Sequence, residues 1–287
     1  MPAPLLFVLS GLTQYLGAAL AVGIFGIVAA STVAWLRVAV AAVVLVLWGR
    51  PWRSRWTGED LRTAVVFGIV LGVMNVAFYI AIDHLPLGTA VSLEFLGPVA
   101  VAALTGTGWR DRVGIAIAAI GVVLLAGVSL DTGPDAVVGL VAIAVAATCW
   151  AAYILLGRRV ARAATGGITG LSVAMAAGAV LLAPFLAGGA GPVLRDPRLA
   201  ALVVGIAVCS SVIPYALEQV VLRRVRAATF AVLLAMLPAT AAVIGAVVLR
   251  QVPHGLEVVG LLLVSGAIVL TGLDREEPAA DEVPPPA

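Results

Sequence analysis

The chain has 287 residues, of which 62% are hydrophobic and 11% are charged, and its formal net charge is +2. Soluble domains carry about 25% charged residues, so this composition, with a mean hydropathy of +1.15, excludes a soluble globular fold. A chain this apolar is expected to lie in a membrane, where helices satisfy the backbone hydrogen bonds internally.

Ten apolar stretches are long enough to cross a hydrocarbon core of about 30 Å as α-helices. The first stretch has no basic segment before it and continues past the length of a signal peptide, so we expect a retained helix. The predicted spans are approximately 5–28, 31–49, 63–82, 87–106, 113–130, 136–156, 167–187, 199–222, 227–249 and 255–273.

Polar groups in spans one and two are few. Gln14 lies in span one, where an amide can line a polar pathway or hold two helices together. Arg37 lies centrally in span two and needs a partner there, for which Glu94 is the counter-charge we expect. A permanent structural ion pair and an arginine whose head reaches an interface are the structural alternatives.

Span three carries Asn75 and Tyr79 at a spacing of four, and span six carries Trp150 and Tyr153 at a spacing of three. Each pair therefore shares one helix face. Such side chains can line a cavity between the helices, although amides also join helices and aromatic rings often lie at membrane interfaces.

Span four contains one charged residue, Glu94, and Pro98 follows it four residues later. Because Pro98 has no N–H, the Glu94 carbonyl loses its helical donor at the level of an ionisable side chain. A carboxylate is costly in hydrocarbon, and one that binds and releases a proton can couple that proton to a substrate. A purely structural hydrogen bond is the alternative.

Spans eight and nine carry further candidates. Pro214, Tyr215 and Glu218 share one face of span eight and could form a second lining surface. Glu218 is also close to Arg223 and Arg224, so an interfacial salt bridge is an equal alternative. Pro238 lies in span nine, and with Pro98 and Pro214 it is expected to permit helix bending.

The basic residues, which are all arginine, are unevenly distributed over the loops. Thirteen of the seventeen lie on one side of the predicted membrane. Because positive loops stay in the cytoplasm, we predict that both termini are cytoplasmic, and these short clusters at helix ends predict no nucleic-acid site. The thirteen are Arg50, Arg53, Arg55, Arg62, Arg110, Arg112, Arg158, Arg159, Arg162, Arg223, Arg224, Arg226 and Arg275.

A shift of 140 residues aligns GTAVSLEFLGPVAVAA with ATFAVLLAMLPATAAV and places Pro98 on Pro238. Both segments are the fourth span of a five-span half. We therefore predict an all-α integral membrane protein of ten transmembrane helices in two inverted-topology five-helix repeats, since an odd number of spans reverses the second copy. The predicted units are 1–133, 134–273 and a disordered cytoplasmic tail, 274–287.

The sequence predicts no enzyme, cofactor or metal site. His84 and His254 form no helical metal pair, the chain has no lysine for a phosphate loop, and no nucleophile and base form a recognisable arrangement. Cys149 and Cys209 lie in apolar spans, where we expect small packing residues.

The chain resembles the drug/metabolite transporter superfamily, EamA type, and within it the bacterial threonine and homoserine exporters. The similar segments are GVMNVAFYIAIDHLPLGTAVSLEFLGPVAVAAL (72–104), SSVIPYALEQVVLRRVRAATFAVLLAMLPA (210–239), LRVA at Arg37, GRPWR (49–53) and CWAAYILLGRR (149–159). The chain departs from the family pattern at Leu237, where a glutamate is common before the proline, and at Arg250-Gln251, where a Gly-Glu pair is common. These departures concentrate the expected proton chemistry on Glu94 and Glu218.

The resemblance implies an exporter of small amino acids in the bacterial inner membrane, driven by the proton gradient, and the inverted repeat predicts that rocking of one half against the other alternates access. Its expected partners are a small-molecule substrate, protons and the lipid bilayer, with a homodimer left open. The expected site comprises Glu94, Arg37, Asn75, Tyr79, Gln14, Trp150, Tyr153, Tyr215 and Glu218. The alternatives are an exporter of drugs or other small metabolites with the same fold and, from another class, an intramembrane enzyme or a scaffold.

Overall fold

The computed structural model describes residues 3–105, 109–129, 134–162, 167–214, 217 and 236–272. Every regular element in these ranges is helical, and no strand occurs among them. A π-helical turn at Val208–Val212 follows α10, and 3-10 turns lie at Pro51–Arg53 and Ala187–Ala190. The α-helices are α1 (Ala3–Val22), α2 (Ala30–Gly49), α3 (Gly58–His84), α4 (Leu87–Glu94), α5 (Leu96–Thr105), α6 (Trp109–Ser129), α7 (Pro134–Arg162), α8 (Ile168–Leu186), α9 (Gly191–Arg195), α10 (Pro197–Ala207), α11 (Leu237–Val248) and α12 (Gly255–Gly272).

Five of the described helical segments are long and apolar enough to cross a membrane: Leu5–Val22, Ala30–Arg53, Gly58–His84, Asp135–Gly157 and Ile168–Arg195. The prediction of an all-helical fold is confirmed for the described residues, and five of their helices are candidate membrane spans. The other predicted spans coincide with shorter apolar helices of 10–17 residues, so the count of ten stays a prediction. These shorter helices are Leu87–Val101, Arg112–Leu125, Pro197–Val212, Leu237–Val248 and Gly255–Leu270.

Several helix ends follow local sequence signals. The Thr57 side chain caps α3 by accepting a hydrogen bond from the Asp60 N–H at 3.1 Å. The Asp196 carboxylate caps α10 by accepting one from the Arg198 N–H at 2.8 Å. α2 ends at Gly49, and the residue after it, Arg50, has a φ of 46°, the left-handed conformation usually taken by glycine after a helix.

The helices of the two predicted halves interlock. α2 packs along α8, α3 packs against α7 and α8, and α6 packs along α12. α1 contacts α10, the π-helical turn and α11, while α4 contacts α11 and α7, and α5 contacts α7. Segments that are distant in sequence therefore enclose α4 on several sides.

Small residues bring some of these helices into backbone contact. A Cβ atom at Gly68 of α3 would collide with the Ala174 carbonyl of α8, and one at Gly178 of α8 would collide with the Gly68 carbonyl. A Cβ atom at Gly121 of α6 would lie 3.0 Å from the Gly260 carbonyl of α12. Such close approach provides the van der Waals packing that joins helices in a membrane.

Side-chain hydrogen bonds tie α2 to α8 near both ends of the pair. The Trp35 indole N–H donates to the Ala179 carbonyl at 2.7 Å. At the other end, the Thr169 hydroxyl donates to the Gly49 carbonyl at 3.2 Å. This pair is therefore fixed along its length.

Many large apolar side chains lie on the outer surface of the helices. Leu47, Trp48, Phe185 and Val247 are among the exposed ones. Exposed apolar surface on this scale suits contact with lipid rather than water.

Candidate functional site

The fourth predicted span is interrupted beside its carboxylate. α4 ends at Glu94, Phe95 forms a turn, and α5 begins at Leu96, two residues before Pro98. All seven residues from Leu87 to Leu93 are buried, and Phe95 is completely buried. Glu94 is only half-buried. Glu94 thus lies at the break between two helices, directly after a fully buried segment.

Arg37 is buried on α2, with 7% of its surface exposed. Its Nη1 donates a long hydrogen bond of 3.5 Å to the backbone carbonyl of Ser210 in the π-helical turn. Its guanidinium carbon lies 4.7 Å from the centre of the Tyr79 ring, in a cation–π contact. Its Nε has no hydrogen-bond partner among the described residues.

Arg37 and Glu94 form no ion pair within 4 Å in the described part of the chain. Glu94 was expected from the sequence to be the counter-charge of Arg37, and among the described residues the structure shows no direct contact between the two charged groups. A role for this pair stays a prediction.

Tyr79 is fully buried on α3. Its ring packs against Phe25 at a centroid distance of 5.9 Å and against Phe78 at 6.2 Å. Its hydroxyl has no hydrogen-bond partner among the described residues. One turn earlier, the Asn75 side-chain amide donates to the Leu71 carbonyl at 2.7 Å, so one of its donors is used within α3.

Arg37, Tyr79 and Glu94 lie at a similar depth. The start of α2, the end of α3 and the start of α4 meet at one end of the bundle, because short loops connect these consecutive helices. Each residue is about 8 to 11 Å of helix from that end, at roughly 1.5 Å per residue. By this helical count, three different helices carry a guanidinium, a phenol and a carboxyl group in one layer, and the contact between Arg37 and Tyr79 is observed directly.

The π-helical turn Val208–Val212 was not predicted. Pro214 has no N–H to donate to the carbonyl four residues earlier, which belongs to Ser210 and accepts from Arg37. The Ser210 hydroxyl is buried without a partner in the described residues and lies against Gly17, where a Cβ atom would collide with it. Turns of this type are frequent at functional sites.

The other predicted site residues lie in different surroundings. Trp150 meets Phe95 edge to face at a centroid distance of 4.6 Å, whereas Tyr153 stacks on Phe67 at 4.8 Å. Gln14 is half-buried on α1, and its side chain forms no hydrogen bond to a described residue. Tyr215 and Glu218 lie outside the described residues.

Pro214 and Pro238, which were predicted to permit helix bending, lie at different places in their helices. Pro214 is buried just after the π-helical turn. Pro238 is the second residue of α11, a position where a helix loses no hydrogen bond to proline.

Gln251, which follows α11, caps the helix that carries Glu94. Its side-chain Oε1 accepts a hydrogen bond from the Leu87 N–H, the first of α4, at 2.9 Å. Its own N–H donates to the Gly245 carbonyl at 2.9 Å, and Arg250 before it has a φ of 58°. The sequence singled out Gln251 only as a departure from a family pattern.

The second departure, Leu237, is buried at the start of α11. A Cβ atom at Gly11 of α1 would lie 2.9 Å from its Cδ2 atom, so the leucine packs closely against α1. Leu237 therefore fills space between two helices. In the described residues, no group of three or more His, Cys, Asp or Glu could hold a metal ion.

Several known proteins are similar to this chain in sequence. The EamA-like transporter family matches residues 137–273. The chain is 34% identical to the threonine/homoserine exporter RhtA of Salmonella typhimurium over 268 residues, 93% of this chain and 90% of the relative. It is also 34% identical to the threonine/homoserine exporter RhtA of Escherichia coli K12 over 257 residues, 90% of this chain and 85% of the relative.

The fold also resembles a solved structure. A crystal structure of a protein with 21% sequence identity superposes with a TM-score of 0.61. The match covers 94% of this chain and 96% of the other. At this identity the likeness concerns the fold alone.

Proposed function

Because this chain belongs to the EamA-like transporter family, we propose that it is a secondary active exporter of small amino acids resembling threonine or homoserine. The observation that carries the proposal is the 34% identity to exporters of that name over 93% of this chain. The relatives are transporters and not enzymes, which agrees with the sequence-based prediction. The family relationship also confirms the resemblance found in the sequence.

The proposed architecture is ten spans in two inverted repeats, 1–133 and 134–273, with both termini in the cytoplasm and the chain in the bacterial inner membrane. The helix contacts support the repeat. In such a repeat, spans one, two and three, which are α1, α2 and α3, correspond to spans six, seven and eight, which are α7, α8 and α10. The contacts of α3 with α7 and α8 therefore correspond to contacts of α10 with α1 and α2, which also occur. Span four, which comprises α4 and α5, corresponds to span nine, which is α11, and its contacts with α7 correspond to the observed contact of α11 with α1.

Alternating access would arise from rocking of one half against the other about the fixed α2–α8 pair. The substrate would bind between the halves, near the layer that holds Arg37, Tyr79 and Glu94. Pro98 and Pro214 would permit local bending where the helical hydrogen bonds are interrupted. The short α4, which ends at Glu94, belongs to the first half and contacts α11 and α7 of the second half.

The proposed proton carrier is Glu94. In a low-dielectric layer an isolated carboxylate favours its protonated form, and an opposite charge favours its ionised form. An ammonium group arriving with the substrate would therefore compete with a proton for Glu94. Arg37 would either balance the Glu94 carboxylate or meet the carboxylate of the substrate.

Counterflow in proteoliposomes tests the substrate class. Vesicles that contain the purified protein and unlabelled threonine or homoserine should accumulate labelled threonine, whereas protein-free vesicles should not. Labelled tetraphenylphosphonium, a lipophilic cation, should not exchange with preloaded amino acid. Exchange of the cation without exchange of either amino acid would overturn the proposal in favour of a drug exporter.

A further inference from the structure

The guanidinium of Arg37 has unused capacity for hydrogen bonding. An arginine offers five N–H donors, and the described residues accept one hydrogen bond from this side chain, the 3.5 Å bond to Ser210. Its Nε is buried and unpartnered. A buried group left without its partners is costly, so an occupant that supplies acceptors would be stabilised here.

The Tyr79 hydroxyl is a second unused donor in the same contact. Tyr79 is fully buried and its hydroxyl is unpartnered in the described residues. Arg37 lies over its ring, so the hydroxyl on the ring's rim and the guanidinium are neighbours. Nearly all buried polar groups in proteins have a partner, so two unpartnered donors in one contact form a place where a group with acceptor oxygens could bind.

We infer that Arg37 and the Tyr79 hydroxyl bind the carboxylate of the transported molecule, an inference that rests on the proposed function. A carboxylate is planar, accepts bonds at two oxygens and matches the geometry of a guanidinium. The aromatic ring and the Ser210 carbonyl hold the guanidinium in place while leaving Nε unpaired. Arg37 thus has a role distinct from that of a fixed partner for Glu94.

The arrangement suits a zwitterion. Arg37 places a guanidinium and Glu94 a carboxyl group at a similar depth, and the two form no ion pair within 4 Å in the described part of the chain. A molecule with an ammonium group and a carboxylate can lie between them and neutralise both charges. The site should therefore reject an amine that lacks the carboxylate, because binding would leave Arg37 unpaired.

Competition in the counterflow assay tests this inference. Threonine and threoninamide, in which a neutral amide replaces the carboxylate, are compared as inhibitors of labelled threonine exchange. The wild-type protein should discriminate against the amide by at least about tenfold, the scale of one charged hydrogen bond. Equal inhibition of the wild type by both compounds would overturn the inference.

Two variants test whether Arg37 and Tyr79 are the residues that bind the substrate carboxylate. Tyr79→Phe removes one oxygen atom and should raise KM for threonine by about tenfold with little change in maximal rate. Arg37→Gln should abolish discrimination between threonine and its amide. Arg62→Gln, at an exposed position of α3, is the matched control and should retain the wild-type KM and discrimination.

A double variant separates carboxylate binding from a structural ion pair. If Arg37 served only to balance Glu94, combining Arg37→Gln with Glu94→Gln would restore what Arg37→Gln lost. We expect the double variant to stay unable to distinguish threonine from threoninamide. Restored discrimination would overturn the inference.

The outcomes distinguish the inference from the proposed function. A wild-type protein that exchanges no amino acid would overturn both. A wild-type protein that exchanges threonine, with a wild-type KM and discrimination in Tyr79→Phe, would overturn the inference alone. Because Tyr79→Phe preserves the ring and its packing, it decides the question even if Arg37→Gln does not fold.

Discussion

Arg37 donates a hydrogen bond to the Ser210 carbonyl, the carbonyl that Pro214 cannot engage through a helical N–H. The same relation places the Glu94 carbonyl four residues before Pro98. In each case the carbonyl four residues before a proline belongs to a charged residue or accepts a hydrogen bond from one. Arg37, in the first predicted half, thus donates to a backbone carbonyl of the second half that lacks its helical donor.

Replacing Pro214 with alanine should weaken substrate binding and raise the stability of the protein. Pro214→Ala supplies an N–H near the Ser210 carbonyl, so the bond from Arg37 should weaken and KM for the substrate should rise. Removing an interior proline should also stabilise the helix, by up to about 3 kcal/mol. Thermal unfolding in detergent and counterflow kinetics measure the two effects.

Pro184→Ala is the matched control for this prediction. Pro184 lies inside α8, and the carbonyl four residues earlier belongs to the exposed Val180. This variant should raise Tm without changing KM. An unchanged KM in Pro214→Ala as well would contradict the role of the Ser210 carbonyl.

Gln251→Leu should destabilise the helix that carries Glu94. The substitution removes the acceptor of the Leu87 N–H while preserving much of the side-chain volume. Loss of a helix cap costs about 0.5 to 2 kcal/mol, so Tm should fall and transport should decline as α4 shifts. Gln251→Glu keeps the acceptor and adds a charge favoured at a helix start, so it should retain both. A wild-type Tm in Gln251→Leu would show that the bond contributes nothing.

A disulfide between α4 and α11 should stop transport. A Cβ atom at Gly245 would lie 3.7 Å from that of Leu87, within the range of about 3.5 to 4.5 Å for disulfides. The pair Leu87→Cys and Gly245→Cys, in a background with Cys149→Ala and Cys209→Ala, should export when reduced and not when oxidised. The measurement is efflux from proteoliposomes before and after oxidation.

The α2–α8 pair provides a crosslinking control. Thr32→Cys on α2 with Gly189→Cys, in the 3-10 turn directly after α8, would join positions whose Cβ atoms lie 3.3 Å apart, slightly closer than the usual disulfide range, beside a helix pair already tied by hydrogen bonds. This crosslink should leave transport intact. Full transport by the oxidised Leu87 and Gly245 pair would argue against movement between α4 and α11.

Gly68→Ala should disrupt the contact of α3 with α8. The new methyl group would collide with the Ala174 backbone carbonyl, which cannot move without displacing α8. Overpacking of this kind costs about 1 to 3 kcal/mol, measured as a lower Tm. Gly205→Ala is the control, because nothing lies within 4 Å of a Cβ there, and alanine should stabilise α10 by about 1 kcal/mol. Equal Tm changes in the two variants would refute the steric explanation.

The sequence was sufficient for the features that depend on local chemistry. Composition and apolar runs predicted helices in a membrane, and Pro98 predicted an interruption near Glu94, where α4 now ends. The same proline rule applied to Pro214 points to the Ser210 carbonyl. Nothing local, however, indicates that an arginine 173 positions away would use it.

Contacts between residues that are distant in sequence could not be predicted from local sequence signals. Gln251 caps α4 from 164 positions away, which no helix-start signal before Leu87 reveals. Trp150 and Tyr153 share a helix face as their spacing predicts, yet Trp150 packs against Phe95 in the turn after α4, whereas Tyr153 packs against Phe67 on α3. Side chains on one face can therefore contribute to separate clusters when several helices cross it.

Proton-coupled export through Glu94 is tested most directly by threonine flux in proteoliposomes with an imposed pH gradient, comparing the wild type with Glu94→Gln. The wild-type protein should accumulate threonine in response to the gradient. Glu94→Gln, which cannot bind and release a proton at this position, should show no response to the gradient at any threonine concentration. Undiminished, pH-driven transport by Glu94→Gln would contradict the account.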